Sequence, residues 1–90
     1  MAVVMEVLSG NPPCPGCDTL LKLADEYEAA YGDDLEVVRY IGEEGMAKFE
    51  EYGIGCVPAL VVHGKIRIEG VCPSRQTLNN ALREGGLWIR

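Results

Sequence analysis

The pattern of apolar and polar positions divides the chain into alternating strand-like and helix-like segments. Residues 2–8 form a nearly continuous apolar run of strand length, which is typical of a central strand covered on both faces. Residues 9–13 are turn formers, and from Cys17 onwards apolar residues recur with helical spacing until Gly32. The chain therefore begins with a predicted strand, a turn and an amphipathic helix that has apolar residues at positions 17, 20, 21, 24, 27 and 31.

The middle of the chain predicts a second strand and a second helix. Residues 35–41 are rich in Val, Tyr and Ile, which favours a strand. Residues 43–52 predict a short helix with acidic residues in its first turn and Gly53 as its end. Its spacing predicts that Met46 and Phe49 face inward.

The last third of the chain predicts a hairpin and a closing helix. Residues 59–62 and 65–69 have strand character, and the dipeptide His63-Gly64 between them is typical of a tight hairpin turn. A helix is predicted through residue 84, with Ser74 as its cap and Gly85-Gly86 as its end. Its core stripe is predicted to consist of Leu78, Ala81 and Leu82.

This order, β-α-β-α-β-β-α, predicts an α/β fold with a four-stranded mixed sheet flanked by helices. The crossover helix makes the first two strands parallel, and the hairpin makes the last two antiparallel. At 90 residues the chain is expected to be a single domain, spanning residues 1–90.

Charge and composition exclude several classes of function. The chain carries 14 acidic and 8 scattered basic residues, for a formal charge of −6, so binding of nucleic acid is not expected. It has no apolar run of about 18 residues, so no association with a membrane is expected. The N-terminal segment lacks the basic residues of an export signal, which predicts a cytoplasmic protein. We expect it to be a monomer.

The pair Cys14 and Cys17 is the strongest chemical signal in the sequence. Cys14-Pro15-Gly16-Cys17 lies between the first predicted strand and its helix, and the N-terminus of a helix stabilises a thiolate. Cys14 would be exposed beyond the helix end, and Cys17 would be shielded in the first turn. The Cys14 thiolate would attack a substrate disulfide, and Cys17 would then attack Cys14 to release the reduced substrate.

The chain resembles the thioredoxin fold in its short form, as found in glutaredoxins and glutaredoxin-like thioredoxins. The resemblance rests on Cys14-Pro15-Gly16-Cys17, on Val57-Pro58, and on Gly70-Val71-Cys72 before the last helix. It implies that Pro58 follows a cis peptide bond and faces the cysteine pair. It also implies that the backbone of Cys56 and Val57 pairs with an extended substrate, so that the predicted substrate-binding residues are Pro15, Gly16, Cys56, Val57 and Pro58.

The chain departs from both branches of that family. Pro13 stands where thioredoxins usually have a Trp, and the Trp of this chain is Trp88 in the tail. Gly16 replaces the aromatic residue of glutaredoxin motifs, and Cys56 replaces their Thr. Residues 70–73 match the glutathione-binding turn only in part and lack its acid. The electron donor is therefore left open between a small thiol and a reductase, and the predicted substrates are disulfide-containing proteins or small thiols.

Two other functions stay open at this point. A thiolate metal-binding or metal-delivery module would use Cys14 and Cys17, with Cys56 or Cys72 as further ligands for zinc, copper(I) or an iron–sulfur cluster. A redox-inactive interaction domain would use none of the thiols. The hypothesis of a thiol–disulfide oxidoreductase needs no metal and no cofactor besides the Cys14–Cys17 disulfide. Cys56 is either a small, half-buried apolar residue or a functional thiol, which would be regulatory, an additional resolving cysteine or a metal ligand. Cys72 is expected to be a small apolar residue, and it has a counterpart in some glutaredoxins.

Overall fold

A buried strand, β1 (Val3–Ser9), lies in the interior of the sheet and is covered on both faces. The structure is a computed structural model, and it describes residues 2–10, 14–70 and 72–87. Residues named above that lie outside this description are Pro13, Val71 and Trp88. The near-continuous apolar run that predicted a central strand is thus confirmed, with its bounds shifted by one residue.

Three further strands in the described part of the chain complete a mixed sheet. They are β2 (Leu35–Ile41), β3 (Ala59–Val62) and β4 (Ile66–Glu69), and the strand order is β2-β1-β3-β4. β1 runs parallel to β2 and antiparallel to β3, and β3 runs antiparallel to β4. This confirms the predicted α/β order and the mixed four-stranded sheet.

Helices α1 (Pro15–Tyr31) and α3 (Arg75–Glu84) pack on one face of the sheet. The hydroxyl of Tyr27 on α1 donates a hydrogen bond to Asn79 Oδ1 on α3, at 2.5 Å, and so joins the two helices. None of the helices in the described ranges is long and apolar enough to span a membrane. The main core lies between these helices and the sheet and includes Met5, Val7, Leu20, Ala24, Leu60, Val62, Leu78 and Leu82.

Helix α2 (Met46–Tyr52) covers the opposite face and follows a 3₁₀ turn, Gly42–Gly45. The prediction that Met46 faces inward is wrong, because its side chain is 63% exposed. The buried residue is Gly45 instead, whose Cα lies so close to Tyr40 that an added Cβ would be 3.3 Å from the Tyr40 Cβ. The backbone of Gly45 therefore makes the contact with the sheet, and the side chain of the next residue, Met46, points away from it.

The turn between β3 and β4 has His63 and Gly64 at its centre, as predicted. Both residues have positive φ, 53° and 69°, and the Lys65 N–H donates to the Val62 carbonyl at 3.1 Å. Such mirror-image turns match the twist of a hairpin, and they favour residues that tolerate positive φ. Strand β4 begins at Ile66, one residue later than predicted, because Lys65 belongs to the turn.

Candidate active site

Cys14 caps the N-terminus of α1 through its sulfur. Its backbone is extended (φ −72°, ψ 168°), and its Sγ accepts the Cys17 N–H at 3.1 Å. Pro15 occupies the first helical position, where its missing N–H costs nothing. The helix therefore begins two residues earlier than predicted, and the half-buried Cys14 sulfur lies at the positive end of its dipole.

Cys17 is completely buried in the first turn of α1. Burial raises the pKa of the Cys17 thiol, but hydrogen bonds from Cys14, the Gly10 main chain and the Ser9 hydroxyl outweigh it, so that the net pKa is lowered. Sequence reasoning did not assign Ser9 or Gly10 to this site, because both were treated as turn residues. Strand alternation could have indicated the burial of Ser9, because residues two apart in a strand lie on the same face and Ser9 follows the buried Met5 and Val7.

The structure brings Pro58 against the centre of the cysteine motif. The Val57–Pro58 peptide bond is cis, and Pro58 is buried. A Cβ placed on Gly16 would lie 3.3 Å from Pro58 Cγ and 3.4 Å from Pro58 Cδ. Glycine is thus the residue that lets the two segments approach this closely.

Cys56 and Val57 form an accessible edge next to Pro58. Cys56 is exposed and Val57 is half-buried. Among the described residues, none donates to or accepts from the main chain of either one, whereas the Pro58 carbonyl accepts the Gly70 N–H at 2.9 Å. The two residues also line a cleft of about 300 Å³, whose remaining walls are Phe49, Ile54 and Gly55.

Cys72 is half-buried and packs against the main core. Burial raises the pKa of its thiol, which makes it a poor nucleophile at neutral pH. In the described ranges no group of three or more Cys, His, Asp or Glu side chains is placed so that it could hold a metal ion. All four cysteines are described, so the structure does not bring Cys56 or Cys72 to the pair as ready-made ligands.

A buried carboxylate, which sequence reasoning did not identify, ties α2 to the sheet. Glu6 lies in the middle of β1 and is 7% exposed. Its Oε1 accepts a hydrogen bond from the Tyr52 hydroxyl at 2.6 Å, and Lys48 Nζ is 3.9 Å from its Oε2. The hydrogen bond with Glu6, aided by burial, raises the pKa of Tyr52 to about 12.

Comparison with known proteins assigns the family. A sequence model of the thioredoxin domain matches residues 3–83. The chain belongs to the thioredoxin family. The resemblance inferred from the motif is thereby confirmed at the level of the family, and its glutaredoxin-like character stays a prediction.

Curated proteins named thioredoxin or probable thioredoxin are similar to this thioredoxin-family chain over most of its length. The probable thioredoxin of Methanothermobacter thermautotrophicus is 33% identical over 84 residues, which cover 93% of this chain and 96% of the relative. The thioredoxin of Methanocaldococcus jannaschii is 30% identical over 84 residues, which cover 93% of this chain and 98% of that protein. A solved structure described as that of a malarial protein matches with a TM-score of 0.78 over 97% of this chain and all of that one. At 11% identity it supports the fold alone.

Proposed function

We propose that the chain is a thiol–disulfide oxidoreductase that works through Cys14 and Cys17. The observation that carries the proposal is the Cys14 sulfur, which caps α1 and accepts the Cys17 N–H at 3.1 Å, next to a second, buried thiol. A partial positive charge at the helix N-terminus stabilises the thiolate, which is the nucleophilic form of cysteine. The names of the two relatives, probable thioredoxin and thioredoxin, support the same chemistry.

The reaction transfers two electrons from the cysteine pair to a substrate disulfide. The Cys14 thiolate attacks one substrate sulfur, the substrate S–S bond breaks, and the other half leaves as a thiolate. The Cys17 thiolate then attacks Cys14 Sγ in the mixed disulfide and expels the second half. The pair ends as a disulfide, and an external thiol or a reductase must reduce it again. No metal or other cofactor takes part.

The edge formed by Cys56 and Val57 is the proposed binding site for an extended substrate. Unpaired main-chain groups beside a sheet bind a polypeptide by adding it as a further strand. The cleft of about 300 Å³ next to this edge would accept an apolar side chain near the substrate cysteine. The substrates inferred from this arrangement are disulfide-containing proteins, with small disulfides as alternatives, and the protein would act as a monomer in a reducing compartment such as the cytoplasm.

A redox titration tests the proposal. Metal-free protein is equilibrated in dithiothreitol buffers of graded potential, alkylated, and digested, and each cysteine is followed by peptide mass spectrometry. We expect Cys14 and Cys17 to convert together as one two-electron couple, at a potential between about −270 and −120 mV. If the pair never closes, or oxidises only in mixed combinations with Cys56 and Cys72, the proposal is wrong, and bound metal should be measured next.

Substitution of Gly16 by alanine is expected to slow the reduction of protein disulfides about threefold to tenfold. The new Cβ, 3.3 Å from Pro58 Cγ, would push Pro58 and the substrate edge outward by a few tenths of an ångström. Stability should change by less than about 1 kcal/mol, because the better helix propensity of alanine offsets the crowding. The measurements are the rate with a protein disulfide and the melting temperature.

Gly55→Ala is the matched control for the stability measurement, because its Cβ would meet no atom within 4 Å. Both variants should melt within a few degrees of the unmodified protein. A Gly16→Ala protein that reduces protein disulfides at the unmodified rate would show that the approach of Pro58 does not shape the substrate edge.

A further inference from the structure

The exposed side chain of Arg67 joins strand β4 to the end of helix α2. Its guanidinium donates a hydrogen bond to the Tyr52 carbonyl, and a Cβ added to Gly53, the residue after the helix, would lie 3.8 Å from Arg67 Nη1. The carbonyls in the last turn of a helix lack partners within the helix, and arginine side chains can supply them. Arg67 is therefore a cap that β4 provides for α2.

The register of the sheet explains how Arg67 reaches the end of α2. Glu6 on β1 pairs with Val61 on β3, and Val61 pairs with Arg67 on β4. Paired residues lie on the same face of a sheet, and this is the face on which Val61 packs with Tyr52. Tyr52 spans the row, because its hydroxyl donates to Glu6 Oε1 at 2.6 Å and its carbonyl accepts from Arg67. The end of α2 is thus held on both sides of β3.

Residues 53–58 lead from this anchored helix end to β3 and contain the proposed substrate edge. At the start of the segment, the Ile54 N–H donates to the Phe49 carbonyl at 2.9 Å. At its end, the Pro58 carbonyl accepts a main-chain N–H at 2.9 Å. Among the described residues, none forms a main-chain hydrogen bond with residues 55–57. The place of the edge is therefore set by the two ends of the segment, and Arg67 holds the end at α2.

We propose that Arg67 is a positioning residue that sets the place of the substrate edge, Cys56 and Val57, for disulfide-containing proteins. An extended polypeptide must form several main-chain hydrogen bonds with this edge at once, so an edge that moves with the end of α2 binds it less tightly. A small disulfide forms no such bonds and needs only the Cys14 sulfur. The inference rests on the proposed function and adds a residue that distinguishes protein substrates from small ones.

Two kinds of substrate test this role in Arg67→Met, whose side chain stays unbranched but has no N–H to donate. Reduction of a disulfide-containing protein, with dithiothreitol as electron donor, gives kcat and KM. Stopped-flow mixing of reduced, dithiothreitol-free protein with a small aromatic disulfide gives the rate of attack by the pair, because a coloured thiolate is released. All proteins carry Cys56→Ser and Cys72→Ser, so that only Cys14 and Cys17 react.

We expect Arg67→Met to raise KM for the protein substrate about threefold to tenfold, because the edge is no longer held in place. The kcat and the rate with the small disulfide should stay within about twofold of the values for the unmodified Arg67. Hydrogen exchange, followed by mass spectrometry, should become faster in the peptide that contains residues 53–57 and stay unchanged in the peptide that contains β1.

Lys65→Met is the matched control, because it removes the same charge from the exposed turn of the same hairpin and should leave KM and exchange unchanged. An unchanged KM or unchanged exchange in Arg67→Met would overturn the role of Arg67. An equal rise of KM in Lys65→Met, or an equal slowing with both substrates in Arg67→Met, would overturn it as well. Failure of the protein with Arg67 intact to reduce either substrate would instead overturn the proposed function.

Discussion

Cys14→Ser is expected to abolish disulfide reduction, with a loss of at least about a thousandfold, because a serine hydroxyl is not ionised at neutral pH and cannot replace the thiolate. The substitution should leave the fold intact. Cys14 is the N-cap of α1, and serine is among the best residues at that position. The measurement is the reduction of a disulfide-containing protein with dithiothreitol as electron donor, together with the melting temperature.

Cys17→Ser should fail differently, and the difference identifies the role of each thiol. Cys14 would still attack, but the mixed disulfide would persist and be visible as a covalent complex by mass spectrometry under non-reducing conditions. Cys72→Ser is the matched control, because it removes a half-buried thiol whose pKa is raised by burial and should keep the activity. Full activity in Cys14→Ser would contradict the proposed reaction.

The sequence predicted the elements whose ends are marked by turn residues. Strands β2 (Leu35–Ile41) and β3 (Ala59–Val62) have the predicted bounds, since turn residues flank both apolar runs. Asp34 and Gly42 flank β2, and Pro58 and the His63-Gly64 turn flank β3. The start of α1 was placed too late, because apolar periodicity begins at Cys17 while the cap is formed by the sulfur of Cys14. A thiol cap is not one of the usual N-cap signals.

The errors around α2 have a tertiary cause. Helical spacing treats Met46 and Phe49 as equivalent, but the segment begins as a 3₁₀ turn whose Gly45 is the residue that touches the sheet. Spacing along one helix does not contain that information, because it depends on how closely the backbone approaches Tyr40.

The candidate site was predicted as far as it depends on local motifs. Cys14 and Cys17 stand out by their spacing, and the family resemblance located Pro58. Glu6 could not be assigned from its neighbours, because its hydrogen-bond partner Tyr52 is 46 positions away in sequence. The burial of Ser9 could not be assigned either, because it depends on how α1 packs over the end of β1. Polar residues in an apolar strand are the one sequence signal that would have indicated both.

Tyr52→Phe is expected to lower the free energy of unfolding by about 2–3 kcal/mol, because it removes the hydrogen bond that satisfies Glu6 Oε1. The other oxygen, Oε2, already has no hydrogen-bond partner among the described residues, although Lys48 Nζ lies 3.9 Å away. The variant would leave Glu6 Oε1 without its 2.6 Å hydrogen bond at a buried position. Denaturant unfolding at neutral pH measures the change.

The double variant Glu6→Leu, Tyr52→Phe is the control for this prediction. Removal of both partners takes away the buried carboxylate together with its hydrogen-bond donor, so the double variant should recover most of the lost stability. A double variant that is less stable than Tyr52→Phe would contradict this prediction. It would show that Glu6 and Tyr52 stabilise the fold by more than the compensation of each other's burial.

The same hydrogen bond predicts how stability depends on alkaline pH. The pKa of Tyr52 is about 12 in the folded chain, against an ordinary value of 10.0 that applies when the chain is unfolded. Because the folded state holds the proton more tightly, its stabilisation is complete below about pH 10 and is lost as the pH rises from 10 to 12. The stability difference between the unmodified protein and Tyr52→Phe should therefore shrink across this interval. If the free energies of unfolding of the two proteins differ by the same amount from pH 8 to 12, then the hydrogen bond with Glu6 does not raise the pKa of Tyr52.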